Sequence, residues 1–96
     1  MKVWKWQLPV QDEVEVDLPK DTKILSFQNQ HGFPTIWGSV DSLMVAYPER
    51  RYFRMVGTGH EIATYSGNLE YIGTAQFDDG DLVLHLYERL DKRGEK

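Results

Sequence analysis

From Glu13 to Leu18 the sequence reads Glu-Val-Glu-Val-Asp-Leu, an acidic and an aliphatic residue in strict alternation. Side chains of an extended strand point to opposite faces with a period of two. The pattern therefore buries Val14, Val16 and Leu18 and leaves Glu13, Glu15 and Asp17 in water. A helix would scatter the same residues around its circumference. The next residues, Pro19-Lys20-Asp21, break the strand.

The same short alternation recurs along the chain and predicts six further strands. Val3 to Gln7 sets Trp4 and Trp6 against Val3, Lys5 and Gln7. Lys23 to Gln30 turns Leu25 and Phe27 inward, with Ser26, Gln28 and Gln30 opposite. Thr35 to Asp41 offers Ile36, Gly38 and Val40 against Trp37 and Ser39. Arg51 to Gly57 places Phe53 and Met55 on one face and Tyr52, Arg54 and Val56 on the other. Leu69 to Phe77 and Leu82 to Arg89 close the series around Asp78-Asp79-Gly80-Asp81. His31-Gly32 suits the positive φ values of a primed hairpin turn. Pro34 then fits the start of a strand or an edge position. Ser42 to Pro48 fits a helical turn, a short strand or a loop, and Glu61 to Asn68 a loop or one helical turn. No helical run long enough for a βαβ unit is present. The expectation is an all-β fold, a small antiparallel β-sandwich or barrel of about seven strands. One domain covers residues 1–90, and 91–96 form a polar tail.

Composition narrows the function more than it defines it. The 96 residues contain no cysteine, which removes disulfides, thiolate catalysis and cysteine metal sites. A formal charge of −4 opposes nonspecific binding to a nucleic acid polymer. The one compact basic cluster, Arg50-Arg51 with Arg54, reads as a solvated edge. No apolar run approaches a membrane span, and the N-terminus lacks the apolar stretch of a signal peptide, so a cytoplasmic protein is expected. His31, His60 and His85 share no metal-ligand spacing, and Asp78 to Asp81 lacks the ligand spacing of a calcium loop. No metal or cofactor is expected. No serine occupies a nucleophile elbow, and the carboxylates of Glu13, Glu15 and Asp17 face solvent, so no catalytic residue is assigned and an enzyme is not expected. His85, on the face of Val83 and Tyr87, reads as a hydrogen-bonded histidine lining a sheet.

One segment stands out for binding. Phe53 to His60 runs a strand into Gly57-Thr58-Gly59-His60. As structure this is a bulge or turn. As a site, the N–H groups of Gly57 to Gly59 and the Thr58 hydroxyl hold an oxygen-rich group, with His60 and Arg54 adding charge or hydrogen bonds. Trp37 supplies a stacking surface if neighbouring strands align it with Gln28, Gln30, Arg54, Thr74 and Gln76. The candidate ligand-binding residues are Arg54, Gly57, Thr58, Gly59, His60 and Trp37.

Leu18-Pro19-Lys20, Lys23-Ile24-Leu25-Ser26, Gly-Phe-Pro-Thr-Ile-Trp at 32–37, Val-Gly-Thr-Gly-His at 56–60, Tyr71-Ile72-Gly73-Thr74 and Leu82-Val83-Leu84-His85 occur in this order. Together they resemble a family of short bacteriophage and prophage proteins without an assigned activity, over about residues 13 to 88. Relatives often carry proline after the histidine, where this chain has Glu61. The resemblance implies an accessory, anti-defence protein in the cytoplasm of an infected bacterium. By analogy of size and setting it implies a homo-oligomer that sequesters a nucleotide-derived signalling molecule without chemistry. The alternatives are a protein that blocks a host factor through an exposed aromatic edge (Trp4, Trp6 or Tyr47) and a minor virion component.

Overall fold

A computed structural model describes residues 1–62 and 68–92. They form seven antiparallel strands in two sheets. The strands are β1 (Lys2–Gln7), β2 (Glu13–Pro19), β3 (Lys23–Gln30), β4 (Phe33–Val40), β5 (Pro48–Gly57), β6 (Leu69–Phe77) and β7 (Leu82–Arg89). One sheet has the order β1-β4-β3 and the other β2-β5-β7-β6. The expected all-β fold of about seven antiparallel strands is the observed one, and of the sandwich and barrel alternatives the strands form two sheets.

The inner faces of both sheets supply one core. Phe27 and Ile36 come from the three-stranded sheet; Val14, Leu18, Phe53, Met55, Ala75, Phe77, Leu84 and Leu86 come from the four-stranded one. These are mostly the alternating apolar positions of each strand, as period-two burial requires. The sheets also meet where β3 runs beside β6. There the Asn29 side-chain amide donates to the Gln76 carbonyl at 2.9 Å. Gly73 leaves room for Phe27, whose Cβ would lie 3.3 Å from a Cβ added at the glycine.

The β3–β4 hairpin follows the expected turn chemistry. His31 (φ 53°) and Gly32 (φ 88°) both occupy the positive-φ region between paired Gln30 and Phe33. Pro34 lies near the start of β4, although β4 is a middle strand. Its carbonyl accepts from Leu8 N–H on the β1 side, past the last β1 pair, Gln7–Thr35. Its missing N–H lies on that same side, so the β3 ladder loses nothing.

Two readings change and two become more definite. Leu25 does not point inward: the β3–β4 register shifts between Ile24 and Ser26, and Leu25 stands out of the ladder 50% exposed. The extra residue re-phases the strand, so Ile24 packs against the core with Phe27. Arg51 is not on a solvated edge. Strand β5 begins at Pro48 in the middle of its sheet, and Arg51 shares the face of Phe53 and Met55. Ser42–Met44 form a 3-10 turn capped by the Asp41 carboxylate, which accepts from Leu43 N–H at 2.9 Å. Leu90–Lys92 form another, with Asp91 paired to Arg89 at 2.8 Å, so ordered structure runs past residue 90. The Asp78–Gly80 segment is a turn, with Asp78, Asp79 and Gly80 all at positive φ. Most of the loop expected over Glu61 to Asn68 lies at 63–67, outside the described residues.

Candidate functional site

The outer face of the four-stranded sheet carries a continuous polar row. His85 on β7 stands between Val56 of β5 and Thr74 of β6. Its Nε2 lies 2.7 Å from Thr58 Oγ1 and its Nδ1 2.8 Å from Thr74 Oγ1. Thr74 Oγ1 in turn lies 2.5 Å from the Tyr71 hydroxyl. Tyr71 and Thr74, three apart, would face opposite sides of a regular strand. A register shift between Tyr71 and Gly73 puts both on the outer face. The Tyr71 ring meets Tyr87 edge-on at 5.5 Å, and Tyr87 is the cross-strand partner of Arg54.

Every oxygen in this row is a hydroxyl that can donate or accept, while a neutral imidazole donates at one nitrogen and accepts at the other. The chain of hydrogen bonds can therefore run in either direction and present a donor or an acceptor at Thr58. Thr58 and His85 also have the spacing of a nucleophile and its base. Behind the imidazole stands the neutral Thr74 hydroxyl, at the position a carboxylate takes in a catalytic triad.

The glycine segment is a tight turn. His60 N–H donates to the Gly57 carbonyl at 3.1 Å, and Gly59 takes φ 88° at the third position, as a type II turn demands. A Cβ at Gly57 would lie 3.0 Å from His60 Nδ1, so the imidazole folds back over the glycine. Thr58 N–H donates to the Val83 carbonyl at 3.1 Å and is spent on the fold. The proposed cradle of backbone donors is thus smaller than expected, while the Thr58 hydroxyl stays in the polar row.

Arg54 shares this outer face but is largely tied down. Its side chain is 12% exposed, and Nη1 donates to the Asp12 carbonyl at 2.9 Å. Its Nε is buried without a hydrogen-bond partner. Trp37 does not join the group. It lies on β4, opposite Lys5 and Ser26, on the outer face of the other sheet with Gln28 and Gln30. The sheets pack through their inner faces, so one patch containing Trp37, Arg54 and Thr74 does not form. Tyr71, more than half exposed, is the aromatic surface beside the polar row.

A second polar cluster lies in the interior. Arg51 on β5 and Glu88 on β7 are diagonal neighbours, Glu88 standing opposite Phe53, with side chains 2% and 1% exposed. Arg51 Nε and Nη2 reach the two Glu88 carboxylate oxygens, each at 2.7 Å, and Nη1 donates to the Thr22 carbonyl. This planar fork satisfies the pair where water cannot. Alternation places Arg51 in phase with Phe53 and Met55 and Glu88 in phase with Leu84 and Leu86, but the charge of the Arg50-Arg51-Arg54 cluster favours the edge reading, and nothing local names the distant partner.

Exposed acids and bases pair on the outer face of β2 and β5. Arg50 Nε lies 3.0 Å from Asp17 Oδ1, and that hydrogen bond holds the Asp17 carboxyl below its ordinary range. Among the described residues no cluster of potential metal ligands forms, and no helix is long and apolar enough to cross a membrane.

Fold and site together define a small all-β protein of two antiparallel sheets with a hydroxyl-and-imidazole row on one outer face. Over residues 1–96 the chain matches the family described as Domain of unknown function (DUF7352), and it belongs to that family. No curated protein and no solved structure matches it.

Proposed function

We propose that this protein binds a small nucleotide-like molecule on the outer face of its four-stranded sheet, without chemistry, as a phage accessory factor that sequesters a signalling nucleotide from host defence. The observation that carries the binding reading is the Tyr71–Thr74–His85–Thr58 row beside the Gly57–His60 turn. A sugar hydroxyl or phosphate oxygen can extend the row at Thr58, and the exposed Tyr71 ring offers a face for a base. His60 lies at the turn to add a hydrogen bond, Gly59 leaves open space for close approach, and Gly57 makes room for the His60 ring. Arg54 steadies the neighbouring strand ends through Asp12. Trp37 is left out of the site. The phage setting rests on the sequence resemblance, and the anti-defence role on analogy with other small phage proteins.

Calorimetry with cyclic dinucleotides and cyclic ADP-ribose variants tests the reading. Binding is expected for one class of ligand, with an affinity loss of tenfold or more in Thr58→Val and in His85→Phe. Wild-type protein that binds none of these ligands and releases no nucleotide on denaturation refutes it.

A further inference from the structure

Strand β1 is the edge of the three-stranded sheet, and all its residues but Trp6 are exposed. The other sheet's outer edge strand, β2, ends in proline and carries three carboxylates on its solvent face. Strand β1 has no proline and no register shift against β4. Its open side therefore presents free backbone donors and acceptors. Their positions follow from Pro34, whose carbonyl faces β1. By alternation, the even-numbered residues of β4 bond to Lys2, Trp4 and Trp6. The outward N–H and C=O groups are then those of Val3, Lys5 and Gln7.

We infer that this edge pairs with β1 of a second copy, antiparallel about a two-fold axis at Trp4, joining two three-stranded sheets into one. Residues opposite one another in such a pair must have the same parity, which leaves two registers of useful length. Centring on Lys5 sets two like-charged Lys5 residues directly opposite each other, each ammonium turned back to Gln30 Oε1 of its own sheet at 2.8 Å, and forms no aromatic pair at the axis. Centring on Trp4 sets Trp4 against Trp4, Val3 against Lys5 and Lys2 against Trp6. That register brings an aromatic pair to the axis and a cation to each Trp6 ring, with no like charges opposed. Val3 and Lys5 exchange the ladder hydrogen bonds, while the two Trp4 residues form a non-hydrogen-bonded pair, in which side chains approach most closely. Trp4 (37% exposed) and Val3 (60% exposed) are the apolar groups that such a pairing covers. The two lysines, which ordinarily guard an edge, here select the register. A single strand pair buries less than the ~1,200 Å² of stable interfaces, so the dimer is concentration-dependent.

Because the chain has no cysteine, one introduced thiol reports the axis directly. Sedimentation of the full chain from micromolar to near-millimolar concentration should show the mass rising towards twice the monomer. Val3→Pro removes only an outward-facing N–H and should keep the fold by circular dichroism while weakening association at least tenfold. Under mild oxidation Trp4→Cys should cross-link at least tenfold more than Lys5→Cys. Three results would each overturn the inference. They are a wild-type monomer at every concentration, association unchanged in a folded Val3→Pro protein, and cross-linking of Lys5→Cys in preference to Trp4→Cys.

Discussion

Replacing Glu88 by alanine tests the interior of this protein most sharply. Glu88 holds Arg51 through two hydrogen bonds of 2.7 Å, in a place where both side chains are almost fully buried. At an effective dielectric constant of 20, charges about 4 Å apart attract by about 4 kcal/mol. Removing one partner leaves the other charge desolvated, which costs about 3–5 kcal/mol in comparable buried pairs. A domain of this size has a total stability of roughly 5–14 kcal/mol. The substitution therefore removes a large share of it and lowers Tm by at least ~12 °C. Arg51→Met should lose a similar amount, because it strands both the Glu88 carboxylate and the Thr22 carbonyl. The double change Arg51→Met with Glu88→Leu leaves no buried charge. It should recover most of the loss, falling short by the ~1–3 kcal/mol of an unsatisfied Thr22 carbonyl. Urea unfolding followed by tryptophan fluorescence and circular dichroism measures all three. Single losses below ~1 kcal/mol, or a double loss equal to the sum of the singles, would refute the buried pair.

Three further outcomes follow from packing and charge. Gly38→Ala should destabilise by about 1–3 kcal/mol in the same unfolding assay, since its Cβ would lie 2.8 Å from Thr22 Cγ2 and 3.3 Å from the Lys23 carbonyl oxygen. Leu25→Ser should change stability by under ~0.5 kcal/mol while Phe27→Ala removes about 3–5, the reverse of equal burial for the two. The Arg50 hydrogen bond depresses the Asp17 pKa, so the folded state binds its proton less readily than the unfolded chain does. Its contribution is present above the ordinary carboxylate range and fades as pH falls through the lowered value. Asp17→Asn should therefore flatten the acid limb of a stability–pH curve, with the wild type and variant converging at the lowest pH.

Little of the candidate site was readable in the sequence: of the row Tyr71–Thr74–His85–Thr58, only Thr58 stood among the candidate ligand-binding residues. Thr58, Gly59 and His60 form the turn that their composition announces, and His85 is hydrogen-bonded as its strand position suggested. The row that joins Thr58 to Tyr71 was hidden by an extra residue at Ile72. A strict period of two puts Tyr71 and Thr74 on opposite faces, and only the register shift brings them together. The same kind of shift at Leu25 reversed its expected burial. Bulges depend on how a strand pairs with its neighbour, and a strand's own residues do not specify that pairing.

Alternation of apolar and polar side chains by itself determined that this chain folds as strands. It also determined which faces of β2, β4, β5 and β7 carry the core. His31-Gly32 determined a two-residue hairpin, because its backbone conformation is local. Tertiary structure alone decided which strands lie together in a sheet. That choice separated Trp37 from Arg54 and carried Arg51 from a supposed edge to a buried pair with Glu88, thirty-seven residues away. Local patterns report whether a side chain faces oil or water; a charge in the interior is tolerated only when a distant partner meets it, and that partner exists only after the sheet has formed.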